Sequence, residues 1–205
     1  PGVLLKLPEN GQGIAYAREW IKQHACEQSA TGYHWQLDDN KRFLERVQDD
    51  RGVWSNQSVS AATAMCEIER TVSHYGNIGA AGPMTHTLAR SFDDRPDHHH
   101  HLNRQVCSFL LLRNAQAATF RGGVIEDTDY SLQVLTGRER DDSGPQVAPA
   151  ECTMLFTRLL VEVKGGRRQG GNHDELHYGD EDVLRAKQQR VIDLWPTRGF
   201  AITEK

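Results

Sequence analysis

Most of the features that place a chain quickly are missing from these 205 residues. No apolar run approaches the roughly 20 residues that cross a bilayer, and no charged-then-apolar leader opens the chain. The expectation is therefore a cytoplasmic protein with no membrane partner. The four cysteines, Cys26, Cys66, Cys107 and Cys152, are spread evenly and form no Cys-x-x-Cys. That spacing argues for buried reduced thiols and against a zinc knuckle or a disulfide framework. An excess of positive charge is also lacking: 24 Lys and Arg against 28 Asp and Glu leave −4. Such a balance excludes a general nucleic-acid coat but leaves room for a local basic groove. There is no Gly-x-Ser-x-Gly, His-Glu-x-x-His, Walker loop or full Gly-x-Gly-x-x-Gly, so hydrolase elbows, zincins, P-loop enzymes and Rossmann oxidoreductases lose their usual signals. Repeats and long low-complexity linkers are absent too. What is there, 38% hydrophobic and 25% charged residues, reads as one soluble domain with a real core. The chain opens on Pro1-Gly2 without an initiator Met, so a removed tag or a missing N-terminal piece is expected.

Periodicity gives alternating strands and helices. Residues 3–7 read as a short apolar strand, residues 8–13 as a turn, and Ile14, Ala17, Trp20, Ile21 and Ala25 as one face of a helix. Residues 33–37 read as a strand ending in Asp38-Asp39-Asn40, and the polar stretch 41–56 as a loop or lid. A second helix is predicted over 59–75, a small-residue strand over 77–82, a charged His-rich loop over 91–101 and an apolar strand over 106–113. An acidic start leads into a helix over 126–135, followed by a polar insertion at 137–149 and an apolar strand over 152–163. A Gly-rich basic loop at 165–172 and an amphipathic helix over 181–195 complete the order. Alternation of this kind implies an α/β layered domain, whose ligands sit beyond the carboxyl ends of strands.

Four constellations carry candidate chemistry. Asp38-Asp39-Asn40 follows a strand, where hard oxygens suit Mg²⁺ or Mn²⁺ with a bound phosphate; the same residues also make ordinary turns and caps. Glu126-Asp127-Thr128-Asp129 opens a helix. Acids there complement the helix dipole, and a carboxylate held beside another gains proton affinity and can act as a general base. Gly165-Gly166-Arg167-Arg168-Gln169-Gly170-Gly171-Asn172 combines close backbone approach with phosphate-binding arginines, or is a plain exposed loop. Gly11-Gln12-Gly13 opens a helix whose free N–H groups could hold a diphosphate. His98 to His101 read as a solvated loop. His34, His74 and His86 lack a spacing partner, and His173 and His177 stand at i, i+4 after the Gly-rich loop.

The order of these pieces is more specific than any one of them. Gly-rich turn, helix with Ala17-Arg18, strand, Asp pair and distant Glu-Asp pair resemble the plan of GT-A nucleotide-sugar glycosyltransferases. More closely, the chain resembles the TET-associated glycosyltransferases, found largely in tailed phages. The segments are Gly11-Gln12-Gly13-Ile14-Ala15 with Ala17-Arg18-Glu19-Trp20-Ile21; His34-Trp35-Gln36-Leu37-Asp38-Asp39-Asn40; Glu126-Asp127-Thr128-Asp129-Tyr130-Ser131-Leu132; and Cys152-Thr153-Met154-Leu155-Phe156 with Gly170-Gly171-Asn172 and Glu175.

The resemblance implies a single GT-A-like, Rossmann-type layered domain over 1–205, with helices on both faces. The family has an earlier strand and helix, so the first strand–helix unit is expected to be missing here. It also implies metal-dependent, inverting transfer from a UDP-sugar to the hydroxyl of 5-hydroxymethylcytosine in DNA, with a TET-like oxygenase as functional partner. Asp38 and Asp39 would hold Mn²⁺ or Mg²⁺. Asp127 would be the base, with Glu126 and Asp129 orienting it. Gly11, Gln12, Gly13, Arg18, Trp35, Asn40, Gly171 and Asn172 would line the donor and acceptor mouth. Lys164, Arg167, Arg168 and Arg198 would hold DNA phosphates. Transfer to a protein or glycan, and a non-catalytic nucleotide- or DNA-binding module, remain the alternatives. The insertion at 137–149 and the C-terminal Trp195-Pro196-Thr197-Arg198 depart from the family pattern.

Overall fold

The computed structural model describes residues 3–38, 41–89, 98–137, 148–163 and 181–195. Its elements run α1 (Gly13–Gln28), β1 (Tyr33–Gln36), β2 (Lys41–Gln48), β3 (Trp54–Val59), α2 (Ala61–Val72), β4 (Ile78–Thr85), the single turn α3 (His86–Ala89), β5 (His100–Leu102), β6 (Leu110–Arg113), α4 (Glu126–Thr136), β7 (Cys152–Val163) and α5 (Glu181–Leu194). The strands form one mixed sheet in the order β1-β6-β4-β7-β2-β3, with β5 also on β7. The β4–β7 pair is parallel and the others are antiparallel.

The sheet is covered on both faces, and the period-2 alternation of its strands sorts the core in two. Leu110 and Leu112 of β6, with Ala80 and Met84 of β4, pack beneath α1 and α4 together with Ala15, Tyr130 and Val134. Leu111 of β6 and Met154, Phe156 and Val161 of β7 face the other way, against Ala64, Ile68 and Val72 of α2. The protein is thus an α/β layered, Rossmann-like domain. Among the described residues no helix is long and apolar enough to cross a membrane.

Several expectations are corrected. Residues 3–7 form no strand: they pair with nothing among the described residues, and Val3 and Leu4 are 85% and 97% exposed. Residues 41–56 are not a lid but most of the β2–β3 hairpin, which pairs from Phe43↔Val59 to Gln48↔Trp54. Most of its polar residues are solvated, with Arg46 a buried exception over the Trp54 ring, while Phe43 and Leu44 are buried through pairing of β2 with the apolar β7. The strand expected over 106–113 shortens to Leu110–Arg113. The residues before it turn sharply, with Asn103 at φ 58° and Ser108 at φ 67°. The strand expected over 77–82 runs on to Thr85, and His100 and His101 belong to β5. The insertion leaves and returns at one point, where Ala148 N–H donates to Gly137 O at 3.0 Å.

Candidate active site

The sheet brings distant acids and bases to one end. β1 ends at Gln36, and Asp38 follows it. β2 starts at Lys41, and β6, antiparallel to β1, places its first residue Leu110 opposite Gln36. The segment leading into β6, with Gln105 and Cys107, therefore approaches the same edge as Asp38. α4 presents its first turn there. From the side, α1 contributes Arg18, on the buried stripe formed by Ala15, Arg18 and Lys22, which is helical spacing.

Arg18 is the hub. It is 6% exposed. Its Nη2 lies 3.5 Å from Asp38 Oδ1 and its Nη1 3.6 Å from Glu126 Oε1. Its guanidinium also covers the Phe120 ring at 5.8 Å, a cation–π contact. Lys41 Nζ reaches Asp38 Oδ2 at 3.6 Å. Nη1 of Arg18 is buried and makes no hydrogen bond, so one N–H at the centre of the cluster is available to an oxygen ligand.

Asp127 is one residue beyond Glu126. Burial first, and then the Glu126 carboxylate, push its pKa from 3.8 up to about 6, against the opposing pull of Arg18 and of hydrogen bonds from Thr128 N–H and Gln105. The bond from Gln105 Nε2 to Asp127 Oδ1 measures 3.4 Å, and the same nitrogen donates to Thr128 Oγ1 at 2.7 Å. A carboxylate with proton affinity near neutrality suits proton abstraction from a hydroxyl. Cys107 is kept protonated: burial and the Asp127 charge push its thiol up to about 12.

Not every expected residue joins this group. Asp129 is fully buried and faces away from Asp127, because residues two apart on a helix do not share a face. It accepts from Arg121 Nε at 2.7 Å, Gln133 Nε2 at 2.9 Å and Trp195 Nε1 at 2.9 Å. It ties the end of α5 to α4 and does not orient Asp127. Trp35 is likewise elsewhere. Gln36 points to α1, donating to Arg18 O at 2.9 Å. Alternation therefore sends Trp35 to the α2 face, where Nε1 donates to Glu69 Oε1 at 2.6 Å.

Gly11, Gln12 and Gly13 do open α1. Gly11 and Gly13 have φ of 75° and 82°, conformations that favour glycine. Gln12 gives no side-chain cap and the first turn holds no acid, so the N–H groups of that turn are unfilled by capping. Arg18 sits roughly a turn and a half further along the helix.

Asp39, Asn40, Lys164, Arg167, Arg168, Gly171, Asn172, His173, Glu175, His177 and Arg198 lie outside the described residues. Among the described residues no three His, Cys, Asp or Glu side chains group to hold a metal ion. Asp38, the metal candidate that is described, already shares its carboxylate between Arg18 and Lys41. The described donors do not by themselves fit a divalent cation. Of the histidines, His34 bonds Asn114 Oδ1 at 2.8 Å, and the carbonyls of His98 and His99 accept from Thr157. A cavity of about 410 Å³ lined by Thr63, Cys66, Arg70, His99 and Arg158 lies on the α2 side, apart from the acidic cluster.

Sequence reasoning missed Lys41, Gln105 and Cys107. Lys41 carried a weak signal, a cation three residues after Asp38. Gln105 and Cys107 carried none, since only the antiparallel run of β6 brings them to α4.

A model of the TET-associated glycosyltransferase family matches residues 1–140. The chain belongs to that family. It is a glycosyltransferase by family, and the matched stretch holds Arg18, Asp38, Glu126 and Asp127. The Cys152–Phe156 and Gly170–Asn172 segments lie beyond the match. No curated protein and no solved structure matches the chain.

Proposed function

We propose that the protein transfers a sugar from a UDP-sugar to the hydroxyl of 5-hydroxymethylcytosine in DNA, downstream of a TET-like oxygenase that makes the hydroxymethyl group. The observation that carries this reading is Asp127, a half-buried carboxylate with pKa raised to about 6, beside Glu126 and within reach of a buried guanidinium with an unfilled N–H. Family membership supplies the reaction class, and the word TET in the family's name supports the acceptor.

In this mechanism Asp127 takes the proton of the hydroxymethyl group. The oxygen's electron pair forms the bond to the anomeric carbon. The bond from that carbon to the phosphate oxygen breaks on the opposite side, UDP leaves with that electron pair, and the sugar centre inverts. Arg18 and Lys41 offer positive charge to the departing diphosphate, and the uncapped first turn of α1 offers N–H groups and the positive end of a helix dipole. Glu126 holds Arg18 in place and raises the proton affinity of Asp127. Gly171 and Asn172 would line the mouth, and Lys164, Arg167, Arg168 and Arg198 would contact DNA phosphates. The target base must leave the stack to reach Asp127. Mn²⁺ or Mg²⁺ would be held by Asp39 together with Asp38 and would supply positive charge to the diphosphate.

The test is mass spectrometry of nucleosides after incubation with 5-hydroxymethylcytosine DNA, Mn²⁺ and a mixture of UDP-sugars. A nucleoside heavier by one sugar, absent with Asp127→Asn, is the expected result. UDP release without an adduct moves the acceptor to a protein or glycan. The absence of both products overturns the reading.

A further inference from the structure

The segment between β5 and β6 does more than connect. Asn103 N–H donates to Thr153 O at 2.8 Å, and Thr153 Oγ1 donates to Arg104 O at 2.6 Å. Val106 N–H reaches Ser131 Oγ at 3.4 Å, and that hydroxyl donates to Asp127 O at 2.8 Å. At the far end Phe109 O lies 2.2 Å from where a side chain on Gly82 would begin, so this close approach requires glycine in β4. Both left-handed non-glycine residues among those described, Asn103 and Ser108, lie within the segment. A stretch held at both ends and in the middle, with two disfavoured backbone conformations, has been fixed in shape by its surroundings.

What it holds in place is the exposed Gln105. The orientation of its amide is set by its partners: Asp127 Oδ1, as a carboxylate oxygen, only accepts, so Nε2 must face it, and the same Nε2 donates to Thr128 Oγ1. The carbonyl Oε1 is then left beside the proposed base as an acceptor, with no donor to it among the described residues.

On a 5-hydroxymethylated pyrimidine the hydroxymethyl carbon is bonded to ring position 5, and of the two flanking positions only position 4 carries a polar substituent, position 6 bearing hydrogen. A ring that offers its hydroxyl to Asp127 with its polar edge turned towards Gln105 brings its 4-substituent within reach of that amide. In cytosine that substituent is an amino group, which donates; in uracil it is a carbonyl, which accepts. We propose that Gln105 Oε1 accepts from the 4-amino group and so selects 5-hydroxymethylcytosine over 5-hydroxymethyluracil. Facing uracil, two acceptors would meet without a proton between them, a mismatch that a hydrogen-bonding site rejects. Thr128 is the positioning residue that anchors the amide, and Asp127, which only accepts, sets which way round it lies. This inference rests on the proposed transfer to DNA and names the residue that chooses the ring.

The experiment is a competition. DNA carrying both 5-hydroxymethylcytosine and 5-hydroxymethyluracil is incubated with the full chain and UDP-sugars, and both glycosylated nucleosides are quantified. The wild-type protein should favour cytosine by about tenfold or more, the worth of one well-placed hydrogen bond. Gln105→Leu and Thr128→Val should bring that ratio towards one, even where overall turnover falls, and a merely structural role would lower both products together. A wild-type ratio near one, a preference for uracil, or a ratio unchanged in both variants overturns the role of Gln105 while transfer itself stands. Transfer to neither ring overturns the proposed function, and this inference with it.

Discussion

Replacing Asp127 with Asn separates what this carboxylate does for catalysis from what it costs the fold. In the folded protein its pKa stands near 6 instead of 3.8, mainly because burial strips water from the charge. A raised carboxylate pKa means that the folded state binds the proton more tightly than the unfolded chain. The contribution of this one group to stability is thus greatest below about pH 4, falls as pH rises from 4 to 6, and stays low above that. By linkage the rise corresponds to about 3 kcal/mol at most. The carboxylate keeps some solvent contact, so about 2 kcal/mol is the figure to test, because screening lowers the penalty. Asn has the same shape, keeps an oxygen to accept from Gln105, and carries no charge. Asp127→Asn should therefore melt roughly 4–8 °C above wild type at pH 8 and within a degree or so of it at pH 4, while transferring no sugar. Thermal unfolding followed by circular dichroism at both pH values is the assay. Equal destabilisation at pH 4 and pH 8 would refute the reasoning, since Asp127 would then be a structural acceptor and not a desolvated base.

In wild type, kcat/KM should rise with pH through about 6 and level off above it, as Asp127 loses its proton. Arg18→Ala leaves Asp38 and Glu126 facing each other without their shared cation, and should cost about 3 kcal/mol in urea unfolding. Because Arg18 holds the Asp127 pKa down, the same change should move the pH–activity midpoint above 6. Asp129→Ala unties Arg121, Gln133 and Trp195 and should cost about 4 kcal/mol, with a red shift in tryptophan emission as Trp195 meets water. Under native conditions a thiol reagent should label the exposed Cys66 quickly and Cys107, with its thiol pushed up to about 12, slowly, as read by mass spectrometry of digested protein.

Local pattern made much of this protein legible. The helices α1, α2, α4 and α5 and the strand β7 follow from apolar residues at helical spacing or in an unbroken run, signals that need no knowledge of the rest of the chain. Asp38, Glu126 and Asp127 could be singled out because each follows a strand or opens a helix, where chemistry is often found, whereas Arg18 is reached only through the family resemblance. The hairpin β2–β3 could not. Its polar residues look like a loop until β7 is there to pair with β2 and bury Phe43 and Leu44.

The tertiary structure alone decided which acids meet. Asp127 and Asp129 are two residues apart and look equivalent in sequence, yet the helix turns one towards Glu126 and Gln105 and the other towards Trp195. Trp35 and Gln36 are adjacent, yet the strand sends them to opposite faces. Gln105 meets Asp127 only because β6 runs antiparallel to β1 and delivers its leading segment to α4. Sequence determines the type and face of an element through short-range periodicity. The partners of a side chain depend on strand order and direction, which are set by contacts between residues far apart in the chain.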